Sequence, residues 1–117
     1  AGARSAGAEV ELLTAAEFGP DKLSAYDAAA FGCPAMGSEQ LEETEFAPMF
    51  SAVEAALKDK KIALFGSYGW GDGEWMRSWE ATAKSYGAHL EREGVICADA
   101  PDTAAKAACE ALGKALA

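Results

Sequence analysis

Two glycine-lined segments hold the residue types best suited to chemistry: Gly32-Cys-Pro-Ala-Met-Gly37, running on to Glu39, and Gly66-Ser-Tyr-Gly-Trp-Gly-Asp-Gly73. Each follows a short apolar run, at 28–31 and 62–65, that reads as a strand of a parallel sheet. In an open α/β sheet, ligands bind outside the carboxyl ends of the strands, which is where both segments fall. Their glycines let a ligand approach the backbone closely. Each also carries one large polarisable side chain, Met36 in the first and Trp70 in the second. Trp70 sits between Gly69 and Gly71, with no neighbouring side chains to bury it. An indole so placed can stack flat on an aromatic ring, and a thioether can cover the opposite side. Backbone N–H groups of both segments can bind the polar edge of that ring. The constellation suits a planar heteroaromatic ligand. A second reading folds Trp70 down to plug the end of the sheet and makes Met36 core filler, and residue type alone favours it.

The remaining reactive side chains form no comparable set. Cys33 follows a glycine at a strand end, as a nucleophile does, but no histidine or acid stands nearby in sequence to activate it. Cys33, Cys97 and Cys109 form no CxxC pair, and His89 is the one histidine, so a structural zinc site cannot be filled. An odd cysteine count in such a chain points to reduced thiols and a cytoplasmic location. His89 reads as a surface or strand residue. The acidic run from Glu39 to Glu45, taken alone, reads as a solvated face.

The positioning elements alternate between strand and helix. Residues 1–6 read as the end of a helix that Gly7 stops. Residues 9–13 alternate and read as a strand; Phe18-Gly-Pro20 breaks the chain, and a helical turn follows at 21–24. A helix is expected over 46–57, with Phe46, Met49, Phe50, Val53 and Leu57 on one face and Pro48 in its first turn. Another is expected over 74–86, with Trp75, Trp79, Thr82, Ala83 and Tyr86 facing inward and Gly87 as its stop. Residues 94–97 read as a further strand. Asp102 is a candidate N-cap for a last helix whose inner stripe is Ala105, Ala108, Leu112 and Leu116. The alternation predicts an α/β fold with a parallel sheet, in one domain over residues 1–117.

The chain carries 10 basic and 19 acidic side chains, a net charge of -9. Nucleic acid is excluded as a partner, because phosphate binding needs a positive surface. An acidic surface favours docking to basic-surfaced partner proteins, although acidity also simply keeps a protein soluble. No apolar run approaches the roughly 18 residues of a membrane helix, so no membrane association is expected.

The two segments resemble a known family. Residues 32–43 and 63–76 are similar to the two flavin-ring loops of short-chain clostridial-type flavodoxins, and the resemblance extends over essentially the whole chain. It implies a three-layer α/β/α fold with strand order 2-1-3-4-5. It implies FMN as cofactor and a low-potential one-electron shuttle, not an enzyme, serving reductases and ferredoxin-dependent enzymes. The cofactor-binding set it implies is Pro34, Ala35, Met36, Gly37, Ser38, Glu39, Ser67, Tyr68, Gly69, Trp70, Gly71 and Asp99. Trp70 would stack on the outer face of the ring and Met36 would cover the inner face. Gly37 resembles the residue whose peptide turns over on one-electron reduction to accept a hydrogen bond from flavin N5. Glu39 resembles the acid at the pyrimidine edge. Ser67, Tyr68 and Gly69 would give backbone contacts, and Asp99 would lie near a third loop.

One part of the family pattern is absent. No opening strand and Ser/Thr/Gly-rich phosphate loop precede residue 1, and about 20 residues would be needed to supply them. The expectation is therefore an N-terminally incomplete domain whose first strand is missing. FMN is then absent or weakly held, and a strand-swapped oligomer is one way to repair the sheet. Two rival readings are a flavodoxin-like domain of a larger flavoenzyme and an interaction module that keeps the fold without FMN.

Overall fold

The computed structural model describes residues 2–33, 35, 41, 44–68, 73–90, 92–98 and 101–116. The helices are α1 (Gly2–Ser5), α2 (Pro20–Leu23), α3 (Phe46–Val53), α4 (Glu74–Ser85) and α5 (Thr103–Leu116). The strands are β1 (Ala28–Gly32), β2 (Lys61–Tyr68), β3 (His89–Leu90) and β4 (Val95–Ala98). All strand pairs are parallel, and β2 is the hub. It pairs with β1 along one edge, Ala28 opposite Lys61 through Gly32 opposite Phe65. Along its other edge lie β3, opposite Lys61 and Ile62, and then β4, opposite Phe65 to Tyr68. β3 and β4 thus act as one interrupted strand.

Helices cover both faces of this sheet. Ile62, Leu64 and Phe31 point to the face packed by α2, α3 and α4, where Leu23, Phe50, Val53, Trp75, Met76, Trp79 and Ala83 are buried. Aromatic edges organise this core: Phe31 meets Phe50 at 5.3 Å and 90°, and Phe50 meets Trp79 at 5.6 Å and 82°. The opposite face is packed by α5, against which α1 lies. Leu112 is the one buried residue of α5 among those described. The Asp102 side chain accepts a hydrogen bond from the Ala105 N–H at 2.8 Å, so the expected cap is formed. Gly7 and Gly87 end their helices with φ of 95° and 85°, a conformation that favours glycine.

The structure corrects several expectations. Residues 9–13 form no strand, and Val10 and Leu12 are 40% and 91% exposed. Their alternation has no ladder to join, because among the described residues no strand lies against the outer edge of β1. The backbone of β1 shows what that edge offers. Cys33 and Ala35 donate their N–H groups to the Phe65 and Ser67 carbonyls of β2. Backbone direction alternates along a strand, so Ala28, Ala30 and Gly32 turn their N–H and C=O groups to the other side. For the same reason β1 is not buried throughout: Ala30 and Gly32 are exposed. The helix expected to reach Leu57 gives way after Val53 to a 3-10 turn at Glu54–Ala56. Tyr86, expected to face inward, is 43% exposed. β2 runs on to Tyr68, three residues into the segment expected to be loop, because β4 pairs with that extension. His89, read as a surface or strand residue, is both: it lies in the short strand β3, exposed, 3.5 Å from the Asp59 carboxylate.

Candidate functional site

The carboxyl ends of three parallel strands converge at one end of the sheet. Ala35, two residues past Cys33, donates its N–H to the Ser67 carbonyl at 2.8 Å. Ser67 and Tyr68 pair in turn with Cys97 and Ala98 of β4. Ala35, Ser67 and Tyr68 are each half-buried. Ala35, Tyr68 and Ala98 therefore stand at neighbouring strand ends.

The close approach of the first two segments depends on Gly66. A side chain there would run into the Cys33 carbonyl, and its next neighbour would be the Trp75 ring at 3.3 Å. Trp75, one residue into α4, donates its indole Nε1–H to that same Cys33 carbonyl at 3.4 Å. Its ring also packs against Tyr68 at 5.6 Å, tilted by 52°. The helix that follows the second segment thus clamps the start of the first. At sequence level Trp75 reads only as a core residue of α4. Its position right after the glycine segment was the available signal for this second role.

Of the residues singled out from the sequence, Ala35, Ser67 and Tyr68 are described, and the structure brings them together. Pro34, Met36, Gly37, Ser38, Glu39, Gly69, Trp70, Gly71 and Asp99 lie outside the described residues. In the sequence, 36–40 follow Ala35, 69–72 follow Tyr68, and Asp99 follows Ala98. Cys33 is buried beneath the site, which removes the nucleophile reading. Among the described residues no group of three histidine, cysteine or acidic side chains could hold a metal ion. Nor is any helix there long and apolar enough to cross a membrane.

Comparison with known proteins matches this arrangement. The flavodoxin family model covers residues 1–112. This chain belongs to the flavodoxin family. A flavodoxin of Megasphaera elsdenii is 40% identical over 117 residues, which is 100% of this chain and 83% of the relative. A flavodoxin of Clostridium beijerinckii is 40% identical over 111 residues, covering 95% of this chain and 80% of the relative. The solution structure of two-electron reduced Megasphaera elsdenii flavodoxin superposes with a TM-score of 0.87 over 98% of this chain and 82% of that one. A flavodoxin from the domain Archaea, 20% identical with a TM-score of 0.83, shares the fold. Flavodoxins are electron carriers, and the flavodoxin relatives matching this chain support electron transfer as its function.

Proposed function

We propose that this chain is a low-potential one-electron carrier whose cofactor is FMN, held at the converging ends of β1, β2 and β4. The observation that carries the reading is the pinning of the two glycine segments against each other. The Ala35–Ser67 hydrogen bond and the Trp75–Cys33 hydrogen bond fix both loop bases, and Gly66 leaves no side chain between them. A narrow, backbone-lined strand end of this kind fits the edge of a flat ring. In this reading Trp70 and Met36 flank the ring, Glu39 and the peptides of 67–69 bind its polar edge, and the Gly37 peptide faces its central nitrogen. Pro34, Ala35, Ser38, Gly71 and Asp99 complete the surround. FMN supplies the one-electron chemistry when bound; the chain orients it, limits water around it, and surrounds it with negative charge that disfavours an anionic reduced ring. The net charge of -9 supports docking to basic-surfaced reductases and ferredoxin-dependent enzymes. A cytoplasmic location belongs to the same reading.

The open edge of β1 supports a further part of this reading, that the domain is completed by another strand and a phosphate-binding loop. Ala28, Ala30 and Gly32 turn their backbone groups toward that edge, and Val10 and Leu12 stand exposed in the segment before it. The relatives are longer than this chain, which spans 83% and 80% of them. A chain with the ring loops but no phosphate cradle should bind riboflavin and FMN with similar weak affinity. Flavin fluorescence titration tests this: quenching of both is expected, and no quenching of either would favour an interaction module without flavin. Preference for FMN over riboflavin would show that the phosphate grip is already present.

A further inference from the structure

We propose that Glu80 sets the register of β4 against the site end of β2, and is thereby a positioning residue for the ring site; the second half of this rests on the flavin reading above. The edge strand formed by β3 and β4 carries an excess of residues at its interruption. Leu90 stands opposite Ile62 and Val95 opposite Phe65, so the edge takes five steps where β2 takes three. Charge explains the excess. An unbroken strand in the register of β3 would set Arg92 opposite Leu64 and Glu93 opposite Phe65. Leu64 is fully buried, and a guanidinium beside it would lose its water. Arg92 and Glu93 are instead exposed, outside the ladder. The strand then has to find its place again.

Face preference alone does not choose that place. Side chains alternate with a period of two, so Cys97 could replace Val95 opposite Phe65 with every side chain still on its own face. The contact that chooses is made by α4. Its half-buried Glu80 carboxylate accepts the Gly94 N–H at 3.0 Å, one residue before β4 begins. A carboxylate is a stronger acceptor for an N–H than a neutral oxygen. Met76, one turn before Glu80 on the same face of α4, lies directly against Gly94. A side chain on Gly94 would reach 2.5 Å from the Met76 sulfur and 3.4 Å from the Leu64 carbonyl oxygen. Gly94 is thus held between α4 and β2, and fixing it fixes Val95 opposite Phe65. The consequence falls at the site, where Cys97 then pairs with Ser67 and Ala98 with Tyr68. A strand resuming two residues later would bring 99 and 100 to those places. The same helix holds the base of the first glycine segment through Trp75, so α4 is the common reference for both neighbours of β2.

The test compares Glu80→Ala and Glu80→Gln with the unaltered chain by amide hydrogen exchange and by flavin fluorescence titration. Alanine keeps α4 helical but removes the acceptor, whereas glutamine keeps an acceptor oxygen. Glu80→Ala should speed exchange at Gly94 and along β4 by about tenfold, leave Phe31 and Cys33 protected, and weaken flavin quenching. Glu80→Gln should restore most of both. The register role is overturned if Gly94 stays protected in Glu80→Ala, if protection falls equally in β1 and β4, or if Glu80→Gln behaves like Glu80→Ala. Loss of protection in β4 with flavin quenching unchanged would overturn the positioning role. If the unaltered chain quenches no flavin, the flavin reading fails instead, and the exchange pattern judges the register role by itself.

Discussion

At the scale of single residues, two tryptophans on one helix play opposite parts. Trp75 and Trp79 are 2% and 3% exposed and both lie in the core. Trp75 places its N–H on the Cys33 carbonyl, whereas among the described residues Trp79 Nε1 has no acceptor. Burying an unpaired donor costs about 1–3 kcal/mol, and losing a neutral hydrogen bond about 0.5–1.5 kcal/mol. Trp75→Phe should therefore destabilise more than Trp79→Phe in urea unfolding, and it alone should weaken flavin binding. Gly66→Ala should cost about 1–3 kcal/mol, because the Cys33 carbonyl or the strand must shift to admit a methyl group. Tyr26 donates a hydrogen bond to Glu11, and that bond above all holds its phenol proton beyond the ordinary tyrosine range. Glu11→Gln should move this phenol back toward its usual value, read from tyrosinate absorbance during alkaline titration.

At the scale of elements, the sheet decides what neighbouring segments become. β1 has a full partner in β2 and none at its outer edge among the described residues. Its amides should split accordingly in hydrogen exchange, with Ala30 and Gly32 exchanging fast and Phe31 and Cys33 protected. Supplying a strand to that edge should slow Ala30 and Gly32 and bury Leu12. Uniform protection of all four in the present chain would mean that the edge is already covered. α5 depends on a different device, the Asp102 cap. Asp102→Ala should lower stability by about 1 kcal/mol and loosen the start of α5.

At the scale of the whole molecule, the 19 acidic and 10 basic side chains set a long-range field. Association with a basic-surfaced electron donor should therefore slow steeply as salt rises, because exposed charges are screened beyond about 10 Å at 0.1 M ionic strength. Stopped-flow rates that ignore ionic strength would remove the electrostatic docking reading while leaving the fold intact. The helices pack on both faces of the sheet, so the strand ends are the part of it left for a ligand.

The sequence by itself determined whatever depends on local spacing. Apolar periodicity placed Met49, Phe50 and Val53 on the inner face of α3, and Gly7, Gly87 and Asp102 marked helix ends that the backbone confirms. The two glycine segments stood out as a candidate site because their composition is so unlike a core or a solvated face. Only the tertiary structure decided what depends on a neighbour distant in the chain. Residues 9–13 alternate as a strand should, yet alternation becomes a strand only beside another strand, and none is there among the described residues. Gly66, Ser67 and Tyr68 look like loop, yet β4 makes them strand. Trp75 reads as core until the Cys33 carbonyl is found under its indole nitrogen. Propensity and periodicity act over a few residues, whereas strand pairing and buried hydrogen bonds are contracts between segments tens of residues apart.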